Sequence, residues 1–206
     1  MVIENIYGTI MIKFNYPAGA TPLDPDETEG LIPQHIHTQT ELNQWEEVNI
    51  LEAEAWINKH HFTTDDVLDI AFVKTLHKKM FDKTWKWAGK FRKTDKNIGV
   101  DWKGIPEKLK VLLDDVRYQL TAKTYSIDET AARFHHRLVA IHPFSNGNGR
   151  HARLATDLFL ITEKHPRFSW GQNKHASKST IRQAYIQALR AADKHHYEAL
   201  FHFVRD

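Results

Sequence analysis

Residues 142–153 read HPFSNGNGRHAR, and this stretch holds the side chains best suited to chemistry. Asn146, Gly147, Asn148 and Gly149 make a turn from residue types that tolerate positive φ. A helix is expected to begin at once, near Gly149. A glycine-rich turn feeding a helix start leaves several backbone N–H groups unpaired and pointing one way, and the helix dipole adds to their pull on an anion. Arg150 and Arg153 stand three apart on that helix, so both are expected to face the nest. Guanidinium forks match phosphate oxygens two at a time. Together they imply a site for two or three phosphates. His142 sits at its lip, and a neutral imidazole is a natural base for taking a proton from a hydroxyl. Phosphates nearby would raise its pKa, so it needs a partner or partial burial to remain a base; the sequence does not say which. Phe144 is expected to pin the turn to the core. Taken singly, a His before Pro, an NGNG turn and two helical arginines are each ordinary. Their conjunction is much less common and points to a polyphosphate site beside a base that can activate a hydroxyl group.

The elements around this stretch read as helices. Thr38 and Glu41 fit a capping box opening a helix to about Lys59. Thr64 opens a helix expected to run through Val67, Ile70 and Val73 to Met80. Pro106 suits the first turn of another, followed by Leu109, Leu112, Val116 and Leu120. Ser126 and Glu129 suggest a second capping box, with Ala131, Phe134, Leu138 and Ile141 as the apolar stripe. That helix should end at His142, because Pro143 disfavours helical geometry before it. The motif helix should end before Pro166, and a last pair should cover 177–193 and 197–204. Between Trp85 and Asp101 the pattern changes to aromatics, glycines and alternation, which reads as a short β-hairpin or flap. Residues 1–37, rich in Pro and Gly, read as an irregular N-terminal arm wrapped on a domain spanning 38–206. The expected fold is mainly α, a helical bundle with a small β flap.

Bulk properties narrow the function. The chain has 206 residues, and 41% are apolar, enough for a real core. There is no cysteine, which excludes disulfides and thiolate metal sites and fits a reducing, cytoplasmic setting. No apolar run spans a membrane and no secretory leader is visible. A net charge of +2 is too mild to argue for nucleic acid. The basic stretch Lys78, Lys79, Lys83, Lys86, Lys90, Arg92, Lys93 and Lys96, interleaved with Trp85 and Trp87, is expected to be a solvated face. The 14 histidines invite a metal hydrolase, but His135, His136 and His142 lack an H-E-x-x-H pattern or an acidic residue at ligand spacing.

HPFSNGNGRHAR closely resembles the Fic family signature, H-x-F-x-[DE]-G-N-[GK]-R-x-x-R. The segment from Trp85 to Arg92 and the C-terminal helices are similar to that family as well, so the resemblance covers about residues 40–204. The wording of the N-terminal part is similar to the subgroup called mobile mystery protein B. The resemblance implies a Fic-type helical bundle that transfers AMP from ATP to a Ser, Thr or Tyr hydroxyl of a target protein. It implies His142 as base, Gly147, Asn148 and Gly149 as phosphate cradle, and Arg150 and Arg153 on the β and γ phosphates. Ile98 and Gly99, in the flap, would dock the target chain by edge pairing.

The sequence departs from that signature at Asn146, where the family's acidic residue helps hold Mg²⁺. An Asn carbonyl offers an oxygen without the charge. Slower transfer, another donor, or a non-catalytic nucleotide-binding regulator all follow from that change. The family's inhibitory pattern, [ST]-x-x-x-E-[GN], has only an imperfect counterpart in PDETEG from Pro25 to Gly30. No strict internal inhibitor is therefore expected, and restraint would come from a separate antitoxin-like protein.

Overall fold

The computed structural model describes residues 3–4, 10–11, 24–172 and 176–206. The irregular arm expected over 1–37 lies largely outside them. Of its first part only an antiparallel pair is described, β1 (Ile3–Glu4) against β2 (Ile10–Met11). A single helical turn, α1 (Pro25–Thr28), follows. The body then runs through α2 (Gln39–Asn58), α3 (Thr64–Val67), α4 (Ile70–Phe81), α5 (Ile105–Ala122), α6 (Ile127–Ile141), α7 (Asn148–Thr162), α8 (Lys178–Ala192) and α9 (Glu198–Arg205). The mainly α expectation holds.

Most helix starts are chemically marked. Thr38 accepts the Glu41 N–H while the Glu41 carboxylate takes the Thr38 N–H at 2.9 Å, the expected capping box. Ser126 accepts the Glu129 N–H, but the reciprocal half is missing. The Glu129 carboxylate turns instead to Arg133, one helical turn on. The helix expected from Thr64 to Met80 is two helices. Asp69 breaks it by accepting the N–H groups of Ala71 at 2.7 Å and Phe72 at 3.3 Å. A short carboxylate competes with the helix ladder wherever it can cap a new start.

Helices α6 and α7 pack side by side at the centre, with α5 and α9 against α6 and α4 against α7; α2 covers α4. Phe134, Phe159, Leu76 and Leu112 are among the fully buried core side chains. The short connection between α6 and α7 is therefore held from both sides by packed helices, and it is residues 142–147 that make it.

The expected β-hairpin over 85–101 is not formed. Its two arms pair with the α6–α7 connection rather than with each other. The Arg92 N–H donates to the Pro143 carbonyl at 3.0 Å, and the Val100 N–H to Ile141 at 3.3 Å. The Arg92 side chain lies between the arms and donates to the carbonyls of Thr94, Val100 and His142. A guanidinium has five N–H donors and satisfies carbonyls that a ladder would otherwise use. Trp85 makes an isolated bridge to Leu31 instead.

Candidate active site at the start of α7

Helix α6 ends on His142 in the left-handed region, φ 54. The backbone then reverses through Pro143 to Gly147 and enters α7. Gly147 lies at φ 77, and a Cβ there would come within 2.6 Å of the Phe81 ring, so both conformation and space call for glycine. Phe144 is fully buried, as expected of an anchor. Its ring stacks on His77 with centroids 3.7 Å apart.

Asn148 closes the turn. Its Oδ1 accepts the Phe144 N–H at 2.9 Å and its Nδ2 donates to the Phe144 carbonyl at 2.8 Å. The Asn148 side chain is thus a staple for the turn, which leaves its backbone to face a ligand. Gly147 caps α7 with no side-chain hydrogen bond. The first N–H groups of any α-helix lack partners within the helix. Those of Asn148, Gly149 and Arg150 stand at this start, the arrangement an anion nest requires.

The two motif arginines flank this nest on opposite sides. Arg150 turns to α2, where Nη1 pairs with Glu46 at 2.9 Å, and its guanidinium lies over Phe81. Glu46 is 3% exposed and takes Trp85 Nε1 on its other oxygen at 2.7 Å. Arg153 turns to α8 and lies over the Tyr185 ring, 5.5 Å from its centroid. Among the ion pairs of the described residues none involves Arg153. Burial, before the neighbouring charges of Arg150 and Arg182, pulls its pKa below the usual arginine value, while Tyr185 and Asp157 act the other way. A dianionic ligand would relieve that cost. The Tyr185 hydroxyl is fixed by His135 Nε2 at 2.8 Å and lies 3.9 Å from where a Gly149 Cβ would stand.

His142 is 6% exposed. Burial, then the positive charges of Arg92 and Lys96, push its pKa down to about 4, opposed by a backbone hydrogen bond with Val139. This answers the question the sequence leaves open: the imidazole is kept neutral by burial and two cations. Its carbonyl accepts Arg92 Nε at 2.7 Å. Gly99 lies directly on it at φ 105, where a Cβ would stand 2.7 Å from the His142 Cβ. Ile98, next to it, is 46% exposed.

Two cations expected on a solvated face are internal. The Arg92 side chain is fully buried, and Lys96 is 3% exposed between Asp24 and Glu27, at 2.7 and 2.5 Å. Acidic residues of the arm thus hold the 92–101 loop over His142. The histidines do not converge on a metal. His135 bonds Tyr185, His136 bonds Asp193 and Tyr197, and no group of His, Asp or Glu among the described residues is arranged to hold one. Sequence reasoning misses Glu46, His77 and Tyr185. Each acts across a long chain separation, and nothing local marks it.

The Fic/DOC family model matches residues 67–160, which include His142 and the whole glycine-rich turn. Protein adenylyltransferase fic-1 of Caenorhabditis briggsae is 33% identical over 111 residues, 52% of this chain and 21% of that protein. A probable protein adenylyltransferase, y4lH, of Sinorhizobium fredii is 27% identical over 62% of this chain and 66% of its own length. The matched stretch thus spans about a fifth of the nematode relative and about two thirds of the rhizobial one. Among solved structures, BepC of Bartonella tribocorum with bound AMPPNP has the same fold, at TM-score 0.66 and 20% identity over 88% of this chain and 96% of that one.

Proposed function

We propose that the chain is a protein adenylyltransferase of the Fic/DOC family, whose model matches residues 67–160, moving AMP from ATP to a Ser, Thr or Tyr hydroxyl of a target protein. The observation that carries this reading is the uncapped start of α7 beside a buried, neutral His142. The β and γ phosphates lie in the nest and against Arg153, with Arg150 on the other flank. The target hydroxyl oxygen attacks the α-phosphorus and gives its proton to His142. The bond from the α-phosphorus to the bridging oxygen breaks, and pyrophosphate leaves. Catalysis rests on positioning and on fixed positive charge around the phosphates. Ile98, exposed beside Gly99, meets the target chain from the loop over His142.

Mg²⁺ does not fit the residues present. Asn146 Oδ1, the one side-chain oxygen at the position where the signature is acidic, accepts the Gly147 N–H at 2.5 Å. A neutral, already engaged amide is a poor ligand for a hard cation. The nearby Glu46 carboxylate is spent on Trp85 and Arg150. No step here is routed through a metal.

A separate, antitoxin-like protein is the proposed restraint. Glu29 of the PDETEG stretch is exposed, and no acidic side chain of the described arm pairs with Arg153. No helix among the described residues is long and apolar enough to cross a membrane. A cytoplasmic site of action rests on the cysteine-free composition.

The test is incubation of the purified chain with α-labelled ATP and cell lysate, beside a His142→Ala control. Label on a protein band, absent in the control, supports the reading. Nucleotide binding without label in either sample would instead favour a binding-only regulator, the alternative that Asn146 suggests.

A further inference from the structure

We propose that His77 is a positioning residue that couples the phosphate-binding turn to the loop over His142. The inference rests on the functional reading above. His77 lies on α4 and is fully buried. Its Nδ1 receives the Gly89 N–H at 3.0 Å, and its Nε2 stands 3.1 Å from the Asn146 carbonyl oxygen. An amide N–H only donates, and a carbonyl oxygen only accepts. The lone pair must therefore sit on Nδ1 and the proton on Nε2, so the two backbone partners fix one neutral tautomer. Desolvation, with smaller contributions from His151 and Arg150, keeps the ring uncharged, against the opposing Asn146 contact.

Each partner belongs to a different functional segment. Asn146 precedes Gly147 and the nest, so holding its carbonyl fixes the peptide plane through which the chain enters Gly147 and α7. Gly89 opens the run that leads to Arg92, the clamp on His142 and Pro143. No side chain fits at Gly89. It lies at φ 75, and a Cβ would meet Lys78 Cβ at 2.7 Å and the Lys74 carbonyl at 2.8 Å. The ring stacks on Phe144, which fixes its plane. One imidazole thus registers the turn and the loop against a single rigid helix.

The two contacts can be separated. In His77→Gln the amide nitrogen reaches the position of Nε2 and retains the donor to Asn146. In His77→Asn the amide oxygen takes the place of Nδ1 and retains the acceptor for Gly89. His77→Phe keeps the ring and loses both. Binding of a non-hydrolysable ATP analogue and KM for the target are measured on samples matched for folded fraction by circular dichroism. His77→Phe is expected to weaken nucleotide binding at least tenfold. His77→Gln restores nucleotide affinity to within about threefold but leaves target KM raised, and His77→Asn does the reverse. Nucleotide affinity and target KM unchanged in all three, or falling in step in all three, would overturn the coupling. A measurement on the parent needs no variant: the His77 ring nitrogen resonances should shift when the analogue binds, and their constancy would also overturn it. A parent that binds no analogue overturns the functional reading, and this proposal with it.

Discussion

Helices α2 and α7 both start where an irregular segment enters the core, and the two starts are finished differently. At α2, Thr38 and Glu41 satisfy each other's backbone, and the Glu41 carboxylate also takes the His37 N–H at 2.9 Å. Nothing is left over for a ligand. At α7, Gly147 contributes no side chain, and the residue that could have capped the helix, Asn148, reaches backwards to Phe144. Phe144, His77 and Arg92 are likewise spent on holding the shape of this turn. The nest is therefore rigid and open at once. A closed start stabilises the fold; an open one, held in place by other means, is available for a phosphate.

The sharpest test of that contrast is chemical. Replacing His142 with Ala leaves the open start intact and removes the proposed base beside it. The rate of transfer should fall roughly 10²–10⁴-fold, while affinity for an ATP analogue stays within a factor of a few of the parent. Equal loss of binding would mean that His142 shapes the nest rather than serving it.

The next effect is on acid stability, because neutral buried imidazoles surround the open start and not the closed one. His142 and His151 are held down to about 4 and His135 to about 3, in each case chiefly by burial. Between their ordinary value of 6.5 and these values the unfolded chain binds protons that the folded chain refuses. Their stabilisation is complete above about pH 6.5 and is lost as pH falls toward 4, by roughly 3 kcal/mol for each histidine. Asp157 works in the opposite direction. Burial pushes its carboxyl up to about 6, so the folded state gains a proton first and benefits from acid. Three histidines against one carboxyl leave a net loss. Denaturant midpoints should drop steeply between pH 6.5 and 4.5; a flat profile would mean that these rings are solvated.

Gly147→Ala attacks the open start directly. The φ of 77 and the Phe81 ring 2.6 Å from the new methyl both oppose it. Strain of about 1–3 kcal/mol is expected. Because the strain sits in the turn itself, nucleotide affinity should fall at least tenfold, as read by calorimetry with the analogue.

How far the site was legible follows from how local its causes are. The capping box at Thr38, the end of α6 before Pro143 and the glycine turn that opens α7 are written in a few consecutive residues, and the sequence predicts them. The break at Asp69 was legible too, since a short carboxylate in mid-helix is a cap signal, but the apolar spacing on either side of it outweighed that residue. The flap was misread because alternation and glycines suggested a ladder, whereas Arg92 supplies the hydrogen bonds from within. Its role, like those of Glu46 and His77, depends on a partner in a distant segment. A pairing such as Glu46 with Arg150 has no local pattern. The different partners of Arg150 and Arg153 have the same cause: helical spacing sets where side chains leave the backbone, and tertiary partners decide where their ends go.

Thr38→Ala is the smallest change and the necessary control. It removes the acceptor for the Glu41 N–H and frees the Glu41 carboxylate from its reciprocal role. The expected cost is about 1 kcal/mol of stability, visible as a drop in the denaturant midpoint with an unchanged slope. Since α2 also carries Glu46, the partner of Arg150, loosening its first turn could in principle reach the site. Thr38 and Glu46 are two turns apart, however, and Glu46 is fixed independently by Trp85. Nucleotide affinity should therefore match the parent. If Thr38→Ala weakened the ATP analogue as much as Gly147→Ala does, the two helix starts would not differ in kind, and the open start of α7 would lose its claim to a separate function.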